Sequence, residues 1–393
     1  MAHADKPKFH DTSGESSASL AVFNEILFEA PVPRSDIARR TNLTPATVSR
    51  VTRQLIDAGL IEEFQEKKTG RPGRSNIDLR LKKDAGYVVG ISVNAFEQRV
   101  AIANLNRDIV GELPLPRDRI LDPHKAADVA AAHVEKLLQK YRVPRSRVFN
   151  VGVASAGVVN SETGIVTHAP TIDWTNVPLG VQIKERLGLP VSIDSLVNAL
   201  AAAEYSFGVA AKFRDFVVVH ATLGIGMGIV TDGRPVRGHQ SHAGLIGQTQ
   251  LVQSDKGNNR ELNFVAGGAT IFSRWAKERS IAPAEVQESH ILELIEAANA
   301  GNKTAISLCE DGADYLARIV AIIAKALDSE AIMLVGPMVR INVYRERLEF
   351  VLRKLVGEHL KLTVSTRRGV DSACMLAISE IAKSGIHLRM LQQ

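Results

Sequence analysis

The stretch Leu43-Thr44-Pro45-Ala46-Thr47-Val48-Ser49-Arg50-Val51-Thr52-Arg53-Gln54-Leu55 decides how the front of the chain folds. Thr44 is an N-cap residue, and Pro45 takes the first helical position, where a missing N–H costs nothing. Leu43 and Val48 stand at the two ends of a hydrophobic staple. Val48, Val51, Leu55 and Ala58 fall on one face, with Thr47, Arg50, Arg53 and Gln54 opposite, and Gly59 closes the helix. A helix with one greasy flank and one flank of short polar and cationic side chains fits a DNA major groove.

Upstream, Leu20, Phe23 and Leu27, with Ile26 beside them, make the apolar stripe of a helix that begins near Ala18 and stops before Pro31. A second short helix runs from Ser35, read as its N-cap, to Arg40, and Thr41 to Leu43 turn the chain into the third. Downstream, Leu60 and Ile61 begin a strand, Lys67 to Arg74 turn, and Ile77, Leu79 and Leu81 alternate as the partner strand. Three helices and a hairpin predict a winged helix-turn-helix over 17–83, behind a polar tail over 1–16.

Charge supports that reading. Between Lys67 and Lys83 stand seven basic residues and one acid, a local balance of +6 against +5 for the whole chain. Arg can fork onto guanine and Gln onto adenine, while Ser and Thr suit phosphates or either base. The DNA-contact candidates are therefore Ser35, Thr44, Thr47, Ser49, Arg50, Arg53 and Gln54. The Gly70-Arg71-Pro72-Gly73-Arg74 segment adds Arg71 and Arg74, as a minor-groove hook for A·T-rich DNA or else as a plain basic turn.

The 393 residues are enough for two or three domains, and 45% apolar with 23% charged residues is the balance of a soluble globular chain. No window reaches the roughly 18 uninterrupted apolar residues of a membrane span, and Met1 to His10 lacks the apolar core of a secretory signal. The two cysteines, Cys309 and Cys374, have no CxxC spacing, so neither a disulfide framework nor a cysteine zinc site is expected. A cytoplasmic location follows as the expectation.

After about residue 84 the pattern becomes alternating α/β. Strands are predicted at 87–93, 99–105, 109–113, 148–154, 191–193, 216–223, 228–232 and 331–335. Helices are predicted near 178–187, 196–206, 302–327, 342–356 and 371–384, with an Ala-rich one ending at Tyr141. No short-period repeat is visible.

The body carries VGVASAGVVNSETGIV (Val151 to Val166), the loop Ala169 to Trp174 and GLPVSIDSLVNALAAAEYSFG (Gly188 to Gly208). TLGIGMGIVTDG (Thr222 to Gly233) and HAGLIGQ (His242 to Gln248) follow. With a winged helix in front, this resembles the repressor branch of the ROK family (repressor, open reading frame, kinase). The resemblance implies a fold of class α/β: a winged helix-turn-helix, then a two-lobed ribonuclease-H-like body of the sugar-kinase and actin type over 84–393.

The same resemblance locates what has been lost. The kinases' phosphate-cradling turn corresponds to Ser92-Val93-Asn94-Ala95-Phe96, and Leu196 stands where the general base should be. A leucine cannot take the proton of a sugar hydroxyl. Leu245, Gln248 and Asn263 replace a sugar-contacting Glu, a His and a later Glu. The zinc run corresponds to Ser254 to Glu261, without thiolates, and His239 and His242 read as a remnant metal pair or as loop histidines. No catalytic residue, metal or cofactor is expected, and the Leu223 to Gly228 loop serves either a phosphate or any tight turn.

Asp173, Asp194, Ser195, Asn198, Gln248 and Asn263 remain as polar residues at cleft positions, either to bind a small sugar-like or polyol effector or to cap loops. The expectation is a DNA-binding repressor of carbohydrate-related genes, acting as a homodimer or tetramer on double-stranded operator DNA. The alternatives are a body that binds a protein partner or only oligomerises, and an active sugar kinase.

Overall fold

A computed structural model describes residues 15–64, 77–253 and 259–385 of the chain. The front module consists of α1 (Glu15–Glu29), β1 (Val32–Pro33), α2 (Arg34–Thr41), α3 (Pro45–Asp57), β2 (Ile61–Phe64) and β3 (Asp78–Leu81). Helix α1 opens three residues ahead of Ala18, because its polar first turn carries no apolar periodicity to announce it. Of the tail expected over 1–16, all but the last two residues lie outside the described residues.

Ser35 is not an N-cap. The cap position of α2 is Pro33, whose side chain offers no hydrogen bond, and Ser35 sits inside the first turn. Asn42 ends α2 with φ of 56°, a left-handed backbone that Asn tolerates better than most residues, and this turns the chain into α3. The wing gains a third strand that the sequence did not announce, in the order β1-β3-β2. Leu79 and Leu81 face inward, but Ile77 precedes β3 and is exposed.

The body is two copies of one topology. The first sheet contains β4 (Tyr87–Val93), β5 (Gln98–Asn104), β6 (Ile109–Pro114), then, after α4 (Arg117–Ile120) and α5 (Ala126–Lys140), β7 (Val148–Ser155). A side ribbon of β8 (Val158–Asn160), β9 (Ile165–Ala169) and β10 (Trp174–Val177) leads into α6 (Leu179–Leu187) and β11 (Val191–Ser195). The order is β11-β7-β4-β5-β6, antiparallel among β4, β5 and β6 and parallel across β4, β7 and β11. Helix α7 (Leu196–Phe207) then crosses to the second lobe.

That lobe repeats the arrangement with β12 (Phe216–Ala221), β13 (Ile225–Thr231), β14 (Arg234–Pro235), β15 (Gln250–Gln253) and β16 (Asn259–Glu261). The helices α8 (Leu262–Ala266), α9 (Gly268–Trp275), α10 (Glu288–Asn299) and α11 (Lys303–Ala326) come next. Strand β17 (Ala331–Val335), α12 (Asn342–Val356), β18 (Lys361–Ser365) and α13 (Gly369–Ser384) are the last elements among the described residues. Its sheet order, β14-β13-β12-β17-β18, has the same antiparallel trio and parallel pair.

Helix α13 returns to the first lobe and lies on β4 and β7. The approach is so close that a Cβ at Gly152 would stand 1.9 Å from the Ala373 carbonyl oxygen, so only glycine fits there. The far side of α13 packs on α1: Val22, Phe23, Ile26 and Leu27 share one core with Cys374, Ile378, Ile381 and Ala382. Asn24 Nδ2 donates to the Ala382 carbonyl at 2.9 Å. The DNA-binding module is thus seated on the body by a continuous apolar core.

Candidate functional site

The local sequence of α3 builds the first surface as read. Thr44 Oγ1 accepts the Thr47 amide at 3.2 Å, Pro45 holds the first position, and Val48, Val51, Thr52 and Leu55 are buried. Ser49, Arg50, Arg53 and Gln54 are exposed on the other side, with Thr47 half-buried beside its bond to Thr44. Ser35 is exposed at the start of α2. Arg71 and Arg74 lie outside the described residues.

Most other arginines of the module brace it. Arg34 Nε donates to Thr52 Oγ1 at 3.1 Å and its Nη2 to Glu63 Oε1 at 2.8 Å, tying α2 to α3 and the wing. Arg40 reaches Glu29 at 2.8 Å and Glu25 at 3.4 Å on α1, and the Glu29 hydrogen bond holds its guanidinium above the usual range. Arg80 pairs with Glu62 and lies 4.3 Å over the Phe64 ring. Arg53 has no hydrogen bond or ion pair within the described residues, and so presents its full fork of donors outward.

The second surface is the cleft between the lobes, a cavity of about 130 Å3. The Ser92 to Phe96 turn has turned its donors inward: Asn94 Oδ1 accepts the amides of Phe96 and Glu97 at 2.9 and 2.8 Å. Those backbone N–H groups are occupied by the protein itself. Leu196 follows the Ser195 N-cap at the start of α7 and lines the cleft, along with Phe96, Leu223, Ile225 and Leu245. The lining is predominantly apolar.

The six polar candidates separate into three groups. Ser195, Gln248 and Asn263 border the cavity. Asn263 Oδ1 also accepts the Ile225 amide at 2.8 Å and so holds the glycine loop of β13. Asp194 and Asn198 are buried behind it and bound to each other at 2.9 Å. Asp173 is exposed in a left-handed turn after β9 and is not among the residues bordering the cavity.

Asp194 has a partner that no motif announced. Arg237, just past β14 in the second lobe, donates from Nη2 to Asp194 Oδ2 at 2.7 Å. The carboxylate is 3% exposed, so this ion pair is a tie between lobes rather than a ligand contact. His220 on β12 also borders the cavity, and burial pushes its imidazole down to about 4, leaving it neutral at pH 7. Among the described residues no three His, Cys, Asp or Glu side chains are placed to share a metal ion. His239 and His242 are exposed loop residues.

Comparison with known proteins agrees with this architecture. The ROK family model matches residues 89–383, and the winged helix-turn-helix DNA-binding model matches 19–62. The chain belongs to the ROK family. It is 26% identical over 372 residues to the xylose repressor of Caldicellulosiruptor bescii, covering 91% of this chain and 93% of that protein. A crystal structure of a ROK family transcriptional regulator, a homologue of the E. coli MLC protein, superposes with a TM-score of 0.77 at 25% identity, over 96% of this chain and 98% of that one. A ROK family glucokinase from Streptomyces griseus, solved with glucose and AMPPNP, gives a TM-score of 0.63 at 21% identity. It covers 75% of this chain and 100% of its own, which extends the shared fold to the body alone. Among the described residues no helix is long and apolar enough to cross a membrane.

Proposed function

We propose that this ROK protein is a repressor of carbohydrate-related genes that binds operator DNA through α3 and the wing and performs no phosphoryl transfer. The observation that carries the reading is α3 itself, capped, buried on one face and offering Ser49, Arg50, Arg53 and Gln54 on the other. Arg71 and Arg74 supply the minor-groove contact on A·T-rich flanks. The carbohydrate link rests on the likeness to a xylose repressor. Two copies bind as a dimer, or as paired dimers, so that two recognition helices meet half-sites about 34–36 Å apart.

Catalysis is set aside on the chemistry of the cleft. Leu196 occupies the base position, Asp194 is engaged by Arg237, and the turn amides at Phe96 and Glu97 are taken by Asn94. The cleft receives a small sugar-like or polyol effector, held by Ser195, Gln248 and Asn263 and packed against apolar walls. An effector that favours one lobe arrangement shifts the operator affinity by its difference in affinity for the two states.

Selection of binding sites from a random DNA pool by the full chain tests the reading. The expected product is a pseudo-palindrome with half-sites one or more helical turns apart. Recovery of no enriched sequence, together with ADP release in the presence of a hexose and ATP, would overturn it in favour of a kinase.

A further inference from the structure

Nine large apolar side chains are exposed among the described residues, and three of them, Ile109, Val209 and Val364, line one crevice. This crevice, of about 750 Å3, is far roomier than the interlobe cleft and lies on the flank of the body where the DNA-binding module is seated. Phe207, the last residue of α7, contributes an aromatic wall. The charged part of the lining is three arginines, Arg107, Arg367 and Arg368, and two carboxylates, Glu204 and Asp371.

The three arginines at this crevice differ in how far their charge is already used. Arg368 is held by Glu112 and Asp371, each at 2.8 Å. Arg367 donates from Nε to the buried Glu204 at 3.0 Å. Arg107 has no carboxylate within 4 Å among the described residues. It donates from Nη1 to the Leu27 carbonyl at 3.2 Å and stands 5.1 Å over the Phe207 ring. Burial pushes its guanidinium below the usual range, against the pull of Asp108 and with the nearby Arg367 charge adding to the effect.

We infer that this crevice binds a small organic anion with an apolar body, its acidic group on Arg107 and its hydrocarbon against Ile109, Val209 and Val364. The site is separate from the interlobe cleft and does not depend on what that cleft binds. Its occupant reaches the module directly. Phe207 stacks on Phe28 of α1 with ring centroids 5.3 Å apart, and Arg107 holds the carbonyl of the neighbouring Leu27. A ligand that engages Arg107 and Phe207 draws on the two groups that seat the C-terminal end of α1.

Titration of the full-length protein with 8-anilinonaphthalene-1-sulfonate, an aromatic anion that fluoresces when shielded from water, tests the site. Saturable binding of one probe per chain is expected. Val209→Glu and Arg107→Gln should each weaken it about tenfold or more, while Phe350→Ser, at an exposed apolar residue of α12, leaves it unchanged. The uncharged N-phenyl-1-naphthylamine should bind more weakly and should not distinguish Arg107→Gln from the parent. Val209 is half-exposed, so its variant keeps the test decisive if Arg107→Gln fails to fold. Loss of binding on Phe350→Ser, or equal binding by parent and both crevice variants, overturns the site. Hydrogen exchange of the α1 amides should slow at probe saturation, and unchanged exchange there overturns the link to α1.

Discussion

At the scale of single residues, the chemistry of the two surfaces rests on a few side chains. Arg53 stands outward from α3 without an internal partner among the described residues, so replacing it breaks nothing in the fold and tests the proposed base contact alone. Arg53→Ala should weaken binding to the selected operator by about 1–3 kcal/mol, roughly 5- to 150-fold, with little change at unrelated DNA. Fluorescence anisotropy on the two DNAs checks the difference. In the cleft, His220 is neutral in the folded protein with its titration near pH 4, whereas an unfolded histidine takes up its proton near 6.5. The unfolded state therefore binds more protons between these values. Stability attributable to His220 is complete above about pH 6.5 and is lost as pH falls toward 4, by on the order of 1–2 kcal/mol because the side chain still borders the cavity. Melting temperatures across pH 4–7 should show this slope, and His220→Gln should flatten it.

At the scale of elements, α13 decides how the DNA-binding module and the body communicate. Its one face lies on β4 and β7, against Gly152, and the other carries Ile378 and Ile381 into the core shared with Phe23 and Ile26. A truncation there leaves a cavity in the core that joins the two units. Ile378→Ala should cost about 2–5 kcal/mol and split one cooperative unfolding transition into two, since the module loses its seat before the body unfolds. Differential scanning calorimetry checks it, and a single transition with an unchanged midpoint would exclude the coupling. The helix-turn-helix was the most legible element because its signals are local: cap, proline, staple and stripe all lie between Leu43 and Leu55. The wing was less legible, since β1 pairs with β3 across more than forty residues and Val32–Pro33 is too short to show an alternation.

At the scale of the molecule, the lobes are held together across the cleft by Asp194 and Arg237. Arg237→Ala leaves a buried carboxylate with only the Asn198 side chain and the Ser195 amide as donors. The expected result is a lower melting temperature and a wider opening between lobes, seen as a larger radius of gyration in small-angle scattering, with Arg237→Lys recovering part of both. Because the guanidinium is partly exposed, the loss should be about 1–3 kcal/mol rather than the larger cost of a fully buried pair. An unchanged scattering profile and melting temperature would show that the lobes are fixed by α7 and α13 alone.

Residue types and their local spacing determined that the chain opens with a DNA-reading helix and continues as an alternating α/β body, and the resemblance of its motifs to the ROK kinases put Leu196 where their base stands. These are properties of neighbours along the chain: helix periodicity, caps and motif positions are all complete within a dozen residues. Tertiary structure alone decided the rest. The body is one topology used twice, which no sequence repeat betrayed, because sheet order depends on backbone pairing and is compatible with many side chains. Asp194, read as a ligand residue, turned out to be occupied by Arg237, 43 positions away. Phe28, Arg107 and Phe207 meet at the root of α1 although nearly 180 residues separate the two rings. Such contacts are set by the packing of whole elements, and a charged or aromatic residue carries no mark in the sequence of the distant group that will satisfy it.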